Sequence, residues 1–190
     1  MNPSVRRRRR LLLRALCLGY AGTAATLTDL ACAQAVLTEQ QVKAAYVLNF
    51  LRYVDWPERL FAAGDSPLQL CVLGGDAGAL GGIENKIAKG RPVRVRLASG
   101  VDEIRACHAL YVPEHETRRS IPVLRSLQAS PVLTIGESDG FIDAGGMIGL
   151  TSADNRLQFE INAGALHFAQ LKASAQLLKL ARTVIDSRPR

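Results

Sequence analysis

Leu68-Gln69-Leu70-Cys71-Val72-Leu73 and Cys107-His108-Ala109-Leu110-Tyr111-Val112 decide the fold of this 190-residue chain. Each is a short apolar run of strand length. Pro67 and Gly74 bracket the first. Runs that are apolar throughout, rather than alternating, belong to strands covered on both faces, and such strands pair in parallel.

The flanking sequence agrees. Upstream, Thr38 opens a helix, with Gln41 placed three residues on as in a capping box. Val42, Ala45, Tyr46, Asn49, Phe50 and Tyr53 recur at helical spacing, and Trp56-Pro57 ends the element. Between the two runs, a short helix is predicted over 83–88, closed by Gly90. A strand follows over 92–98, where Val93, Val95 and Leu97 alternate with Arg94 and Arg96. One polar face puts it near a sheet edge. Helices over 101–106 and 118–129 and a strand over 131–135 continue the alternation. The pattern predicts an α/β fold: a single domain, 36–190, with a mostly parallel sheet flanked by helices. Its C-terminal part reads as a β-hairpin over 147–151 and 157–161, then a long final helix. Asn162 caps that helix, and Leu166, Ala169, Leu177, Leu178, Ala181 and Val184 give its stripe as far as 184.

Residues 1–35 read as a secretory signal peptide. Five arginines at 6–10 precede an apolar stretch over 15–27, and Ala33-Gln34-Ala35 offers a small-residue cleavage site. Cleavage there leaves Val36 as the mature N-terminus. The segment holds six arginines and one aspartate, so it carries +5 of the net +7. A mature chain of +2 has lost the charge that a nucleic-acid partner would need. Two cysteines remain in it, Cys71 and Cys107. An even pair in an exported chain predicts a disulfide, and neighbouring parallel strands bring them within range.

Signals for chemistry are sparse. Gly74-Gly75-Asp76-Ala77-Gly78 follows a strand but matches neither a dinucleotide fingerprint nor a Walker loop, and reads as a turn. His108, His115 and His167 lie far apart, there is no CxxC pair, and no metal or other cofactor is expected. No nucleophile–base–orienter set is visible, so the chain is not expected to be an enzyme. Contact must then carry the function. Tyr46, Phe50, Tyr53 and Trp56 form an aromatic series flanked by Arg52 and Arg59. Core packing explains rings at helical spacing, yet aromatic and arginine side chains also dominate interface energy. Arg52, Tyr53, Trp56 and Arg59 are the candidate interaction surface.

Several stretches resemble the YfiR-like family, in chain order over most of residues 40–185. They are Val42-Lys43-Ala44-Ala45-Tyr46-Val47-Leu48-Asn49-Phe50 with Trp56-Pro57, Leu70-Cys71-Val72-Leu73-Gly74, Gly90-Arg91-Pro92-Val93 and Cys107-His108-Ala109-Leu110-Tyr111-Val112. Val132-Leu133-Thr134-Ile135, Arg156-Leu157-Gln158-Phe159-Glu160-Ile161-Asn162 and the apolar stretch over 171–181 complete the set. The resemblance implies a periplasmic signalling repressor without enzymatic activity. Such a protein restrains the periplasmic part of an inner-membrane diguanylate cyclase, which keeps cyclic di-GMP and biofilm growth low. It also implies a homodimer and an outer-membrane lipoprotein as a second partner. Cys71 and Cys107 match the family's disulfide, while residues 140–150 lack the cysteine of a second pair. The alternative reading is a periplasmic small-ligand sensor or binding module.

Overall fold

A computed structural model describes residues 38–153 and 156–187. The signal peptide expected over 1–35 and the cleavage point before Val36 lie outside the described residues. The first helix, α1 (Glu39–Tyr53), starts as the capping box requires. The Thr38 hydroxyl accepts from the Gln41 amide and the Gln41 side chain accepts from the Thr38 amide. Both orphan donors are thereby satisfied. Ala44, Val47, Phe50 and Leu51 form its buried face. The chain turns extended at Val54, two residues ahead of Trp56-Pro57.

The elements that follow are β1 (Val54–Asp55), β2 (Leu68–Leu73), β3 (Ile87–Ala88), β4 (Arg91–Ala98) and α2 (Val101–Arg105). Then come β5 (Ala109–Val112), α3 (Thr117–Leu127), β6 (Leu133–Gly136), β7 (Ile148–Ala153) and β8 (Arg156–Asn162). The chain closes with α4 (Ala163–Phe168), β9 (Lys172–Ala173), α5 (Ala175–Leu180) and β10 (Thr183–Ile185).

Eight strands form one sheet in the order β10-β8-β7-β6-β5-β2-β4-β3. Pairing is parallel from β4 across β2, β5 and β6 to β7, and again between β8 and β10. β7 and β8 form the expected antiparallel hairpin. β1 and β9 pair separately as a two-stranded ribbon. The two faces follow the period of two along each strand. Leu68, Leu70 and Val72 of β2 and Ala109 and Tyr111 of β5 join the core beneath α1. Cys71 and Leu73, with Leu110 and Val112, point to the opposite core, which Ile104 of α2 and Val123, Leu124 and Leu127 of α3 close. Phe141 enters this second core between Gly136 and Gly146. A Cβ at either glycine would lie 2.2 Å from a ring carbon, so the approach needs glycine.

Two expectations are corrected. The stretch 83–88 is not a helix. A 3₁₀ helix spans Gly78–Ile83 instead, and β3 then pairs antiparallel with β4. The turn between them has positive φ at Lys89 and Gly90, the conformation that suits a tight hairpin.

The long final helix is also absent; four short elements replace it. α4 ends in a Schellman motif. Gln170 takes φ 61°, its amide donates to the His167 carbonyl, and the Leu171 amide donates to the Leu166 carbonyl at 2.9 Å. β9 then pairs with β1, and Ser174 caps a new helix by accepting from the Leu177 amide. β10 leaves α5 to pair with β8. Sheet hydrogen bonds at both ends of α5 replace the helical ladder that a continuous helix would have had. The apolar stripe is shared between two helices, and Leu166 and Leu177 both reach the same core.

Candidate functional site

Where the strand order reverses, an open α/β sheet leaves a crevice at its carboxyl edge. Here β2 lies centrally, the chain moves outward to β4, then crosses back to β5 on the other side. A cleft of about 720 Å³ opens at that edge. Val72 and Asp76 border it from β2 and the following turn, Tyr111 and Glu114 from the end of β5, and Glu137 from the end of β6. Lys43 reaches it from α1. Gly74 lets β2 turn away: its φ is +102°, and a Cβ there would stand 2.6 Å from Glu116 Oε1.

Glu137 organises the floor. One carboxylate oxygen accepts from the Tyr111 hydroxyl and the other from Lys43 Nζ at 3.3 Å. Lys43 also pairs with Glu39 at 3.0 Å. Burial opposes the Lys43 charge, but hydrogen bonds and charge from Glu39 and Glu137 together outweigh it and raise its pKa above the ordinary value. The lysine therefore stays charged and fully engaged. None of Lys43, Tyr111 and Glu137 was marked as a site residue from sequence. Residues 94 positions apart meet in the Lys43–Glu137 pair, and only the strand order brings them together. His115 and the 74–78 turn, both weighed from sequence, do lie beside this cleft.

The four residues of the expected interaction surface fall elsewhere. Trp56 is buried, at 8% exposure, and its Nε1 donates to the His108 carbonyl at 2.8 Å. It takes the core side of the two readings of the aromatic series. Tyr46 and Phe50 do the same, meeting Phe159 with ring centroids 5.9 and 5.1 Å away. Arg52 and Arg59 are exposed and Tyr53 is half-buried. Arg52 Nε donates to the Ile87 carbonyl at 3.1 Å, and Arg59 donates to the Gln170 side chain. The two arginines thus bond different parts of the chain, Arg52 to β3 and Arg59 to the turn after α4. Arg59 adjoins a groove of about 1170 Å³ lined by Leu166, Phe168, Leu171, Ala173 and Leu178.

Cys71 and Cys107 form the expected disulfide, with Cα atoms 6.0 Å apart across 36 residues of chain. It ties β2 to the segment entering β5. Among the described residues, no group of three His, Cys, Asp or Glu side chains is placed to hold a metal ion.

The model of the YfiR/HmsC-like family matches residues 40–182. This chain belongs to the YfiR/HmsC-like family. The matched span starts in α1 and ends just before β10, so it covers every strand of the sheet except that edge strand. Two solved structures show a low similarity to this chain. An ABC domain in complex with L-Trp from Streptococcus pneumoniae is 14% identical, with a TM-score of 0.45 over 62% of this chain and 55% of that one. A conserved domain protein from Vibrio cholerae O1 biovar El Tor is 10% identical, with a TM-score of 0.46 over 78% and 60%. The chain therefore spans less than two thirds of either protein, and the likeness carries nothing about function. Among the described residues of this YfiR/HmsC-like chain, no helix is long and apolar enough to cross a membrane.

Proposed function

We propose that this protein is a periplasmic signalling repressor that restrains an inner-membrane diguanylate cyclase through protein contact. Membership of the YfiR/HmsC-like family carries the reading. The C-terminal surface supports it, because Phe168, Leu180 and Val184 are large apolar side chains left 48%, 66% and 46% exposed. Scattered apolar residues need no explanation, but these belong to one short stretch of chain, and Phe168 borders the groove next to Arg59. A protein partner would cover them. The periplasmic part of the cyclase is the first such partner. A second copy of the chain and an outer-membrane lipoprotein are the others that the family implies.

The test uses Arg52 and Arg59, whose guanidinium groups are exposed and bonded to neutral oxygens. Replacing both by alanine should change stability by about 0.5 kcal/mol or less per site, since exposed substitutions rarely do more. Binding to the periplasmic domain of a co-encoded cyclase should nevertheless weaken. Calorimetric or optical binding assays, beside thermal unfolding, separate the two effects. Unchanged folding with unchanged binding would remove this surface from the contact.

A further inference from the structure

We infer that His108 is a proton-operated latch: uptake of a second ring proton releases residues 57–67 from the amino edge of the sheet, where its parallel strands begin. This loop joins β1 to β2 and covers the ring. Few groups hold it, and most of them meet at His108. Phe61 stacks on the imidazole with centroids 4.4 Å apart and planes 8° from parallel. The Leu60 backbone bonds the same ring. Trp56, just before the loop, donates to the His108 carbonyl at 2.8 Å. Arg91 holds the far side, over Phe61 at 3.9 Å and donating to the Ala63 and Ser66 carbonyls at 2.8 and 2.9 Å.

The site accommodates one ring proton and opposes a second. Nδ1 accepts from the Gln69 amide at 3.0 Å, so the neutral ring carries its proton on Nε2. A proton on Nδ1 would set two donors against each other. The Gln69 amide cannot turn away, because Gln69 is fixed in β2 and its carbonyl accepts from the His108 amide at 2.9 Å. The Phe61 face attracts cations, but Arg91 already lies over that ring, and two groups so close to it must take opposite faces. Other charges nearby are engaged or turned outward. Asp55 pairs with Lys89, Arg94 with Glu84 and Arg105 with Asp102, while Arg59 bonds Gln170. Glu58 and Asp65 of the loop are exposed. Arg91 is the charge that acts on the ring, and it adds to burial in opposing a second proton. An imidazolium here is relieved by reaching water, and the loop stands in its way.

Latched, His108 binds its proton less tightly than the ordinary 6.5; released into water, it returns to about that value. The latch is therefore at full strength above about pH 6.5 and weakens as pH falls from there through the lower latched value. Between those limits the ratio of released to latched protein rises by up to about tenfold per pH unit, the slope for one proton. The loop also carries Arg59, whose bond to Gln170 lies at the groove beside Phe168. Acid thus alters the surface proposed to meet the partner. Only that consequence rests on the contact reading; the latch does not, and its test contains no partner.

Trp56 is the only tryptophan of the chain and is buried, so its fluorescence reports the latch. Acrylamide quenching of protein isolated after expression of the full chain is followed from about pH 7.5 to about pH 5, the range in which histidine titrates. Far-ultraviolet circular dichroism is recorded alongside. The quenching constant should rise severalfold below about pH 6.5 while the dichroism stays constant. His108→Gln should abolish the rise, since the amide oxygen can accept from Gln69 at every pH. His115→Gln and His167→Gln, at exposed positions, should keep it. Phe61→Ala, which removes the stack without touching His108, should show the acid value already at about pH 7.5 and keeps the test decisive if His108→Gln does not fold. A native chain with no rise would overturn the latch. So would a rise that persists in His108→Gln, vanishes in either exposed-histidine variant or comes with loss of dichroism, or a Phe61→Ala protein quenched like the native chain at neutral pH.

Discussion

The two edges of the parallel sheet are finished in opposite ways. At the amino edge, polar groups are spent on the chain itself. The His108 ring accepts from the Gln69 amide at 3.0 Å, and the His108 carbonyl accepts from Trp56 and from the Leu133 amide. Phe61 stacks on His108 with centroids 4.4 Å apart, and Arg91 lies over the other ring at 3.9 Å. Arg91 also donates to the Ala63 and Ser66 carbonyls, pinning the loop that covers this edge. At the carboxyl edge, Lys43, Tyr111 and Glu137 form one closed set, but Asp76 and Glu114 remain turned to solvent. One edge closes the fold; the other leaves chemistry available. Burial of aromatic area and backbone pairing therefore accounts for the amino edge, while the carboxyl edge keeps exposed carboxylates.

The most severe way to break that contrast is Trp56→Ala. The ring is buried and its N–H is bonded, so its loss should cost about 3–5 kcal/mol. Urea unfolding measures it. A loss of about 0.5 kcal/mol or less, the size of an exposed-site effect, would mean that the amino edge is not a closed core.

Next in size is the disulfide. Replacing Cys71 and Cys107 together by serine should remove about 2–4 kcal/mol, because the 36-residue loop regains freedom in the unfolded chain. The comparison is with oxidised protein in the same denaturant series. Equal midpoints would show that the sheet and the α2–α3 core hold this region without the bond.

A smaller effect sharpens the contrast through pH. Burial lowers the His108 pKa below its ordinary 6.5, the Arg91 charge acts in the same direction, and only a backbone bond with Leu60 opposes them. The unfolded chain therefore binds a proton that the native protein resists. Stability from this group is complete above about pH 6.5, and is lost as pH falls from there through the lower native value. His108→Gln should flatten that part of the melting-temperature profile. Parallel profiles for both proteins would show that His108 does not titrate on unfolding.

Much of the fold was legible because its signals are local. The Thr38–Gln41 box, the Trp56-Pro57 stop and the apolar runs of β2 and β5 each act within a few residues. The hairpin of β7 and β8 was legible for the same reason. The final helix was misread where two local descriptions compete. Helical spacing runs through 166–181, but Gln170 adopts a left-handed φ that only its surroundings reward. Within the expected interaction surface, residue type marks Arg52 and Trp56 alike, yet burial separates them, and burial depends on the whole fold.

By itself, the order of residues determined which segments become strands, which faces of those strands are apolar, and that two cysteines lie close to facing strands. Backbone preference and side-chain period act over a few residues, so they can be read along the chain. Only the tertiary structure decided that β2 sits between β4 and β5, that β9 pairs with β1, and that Lys43 meets Glu137. Those outcomes come from burying both sheet faces at once, a condition on the whole domain that no local window contains.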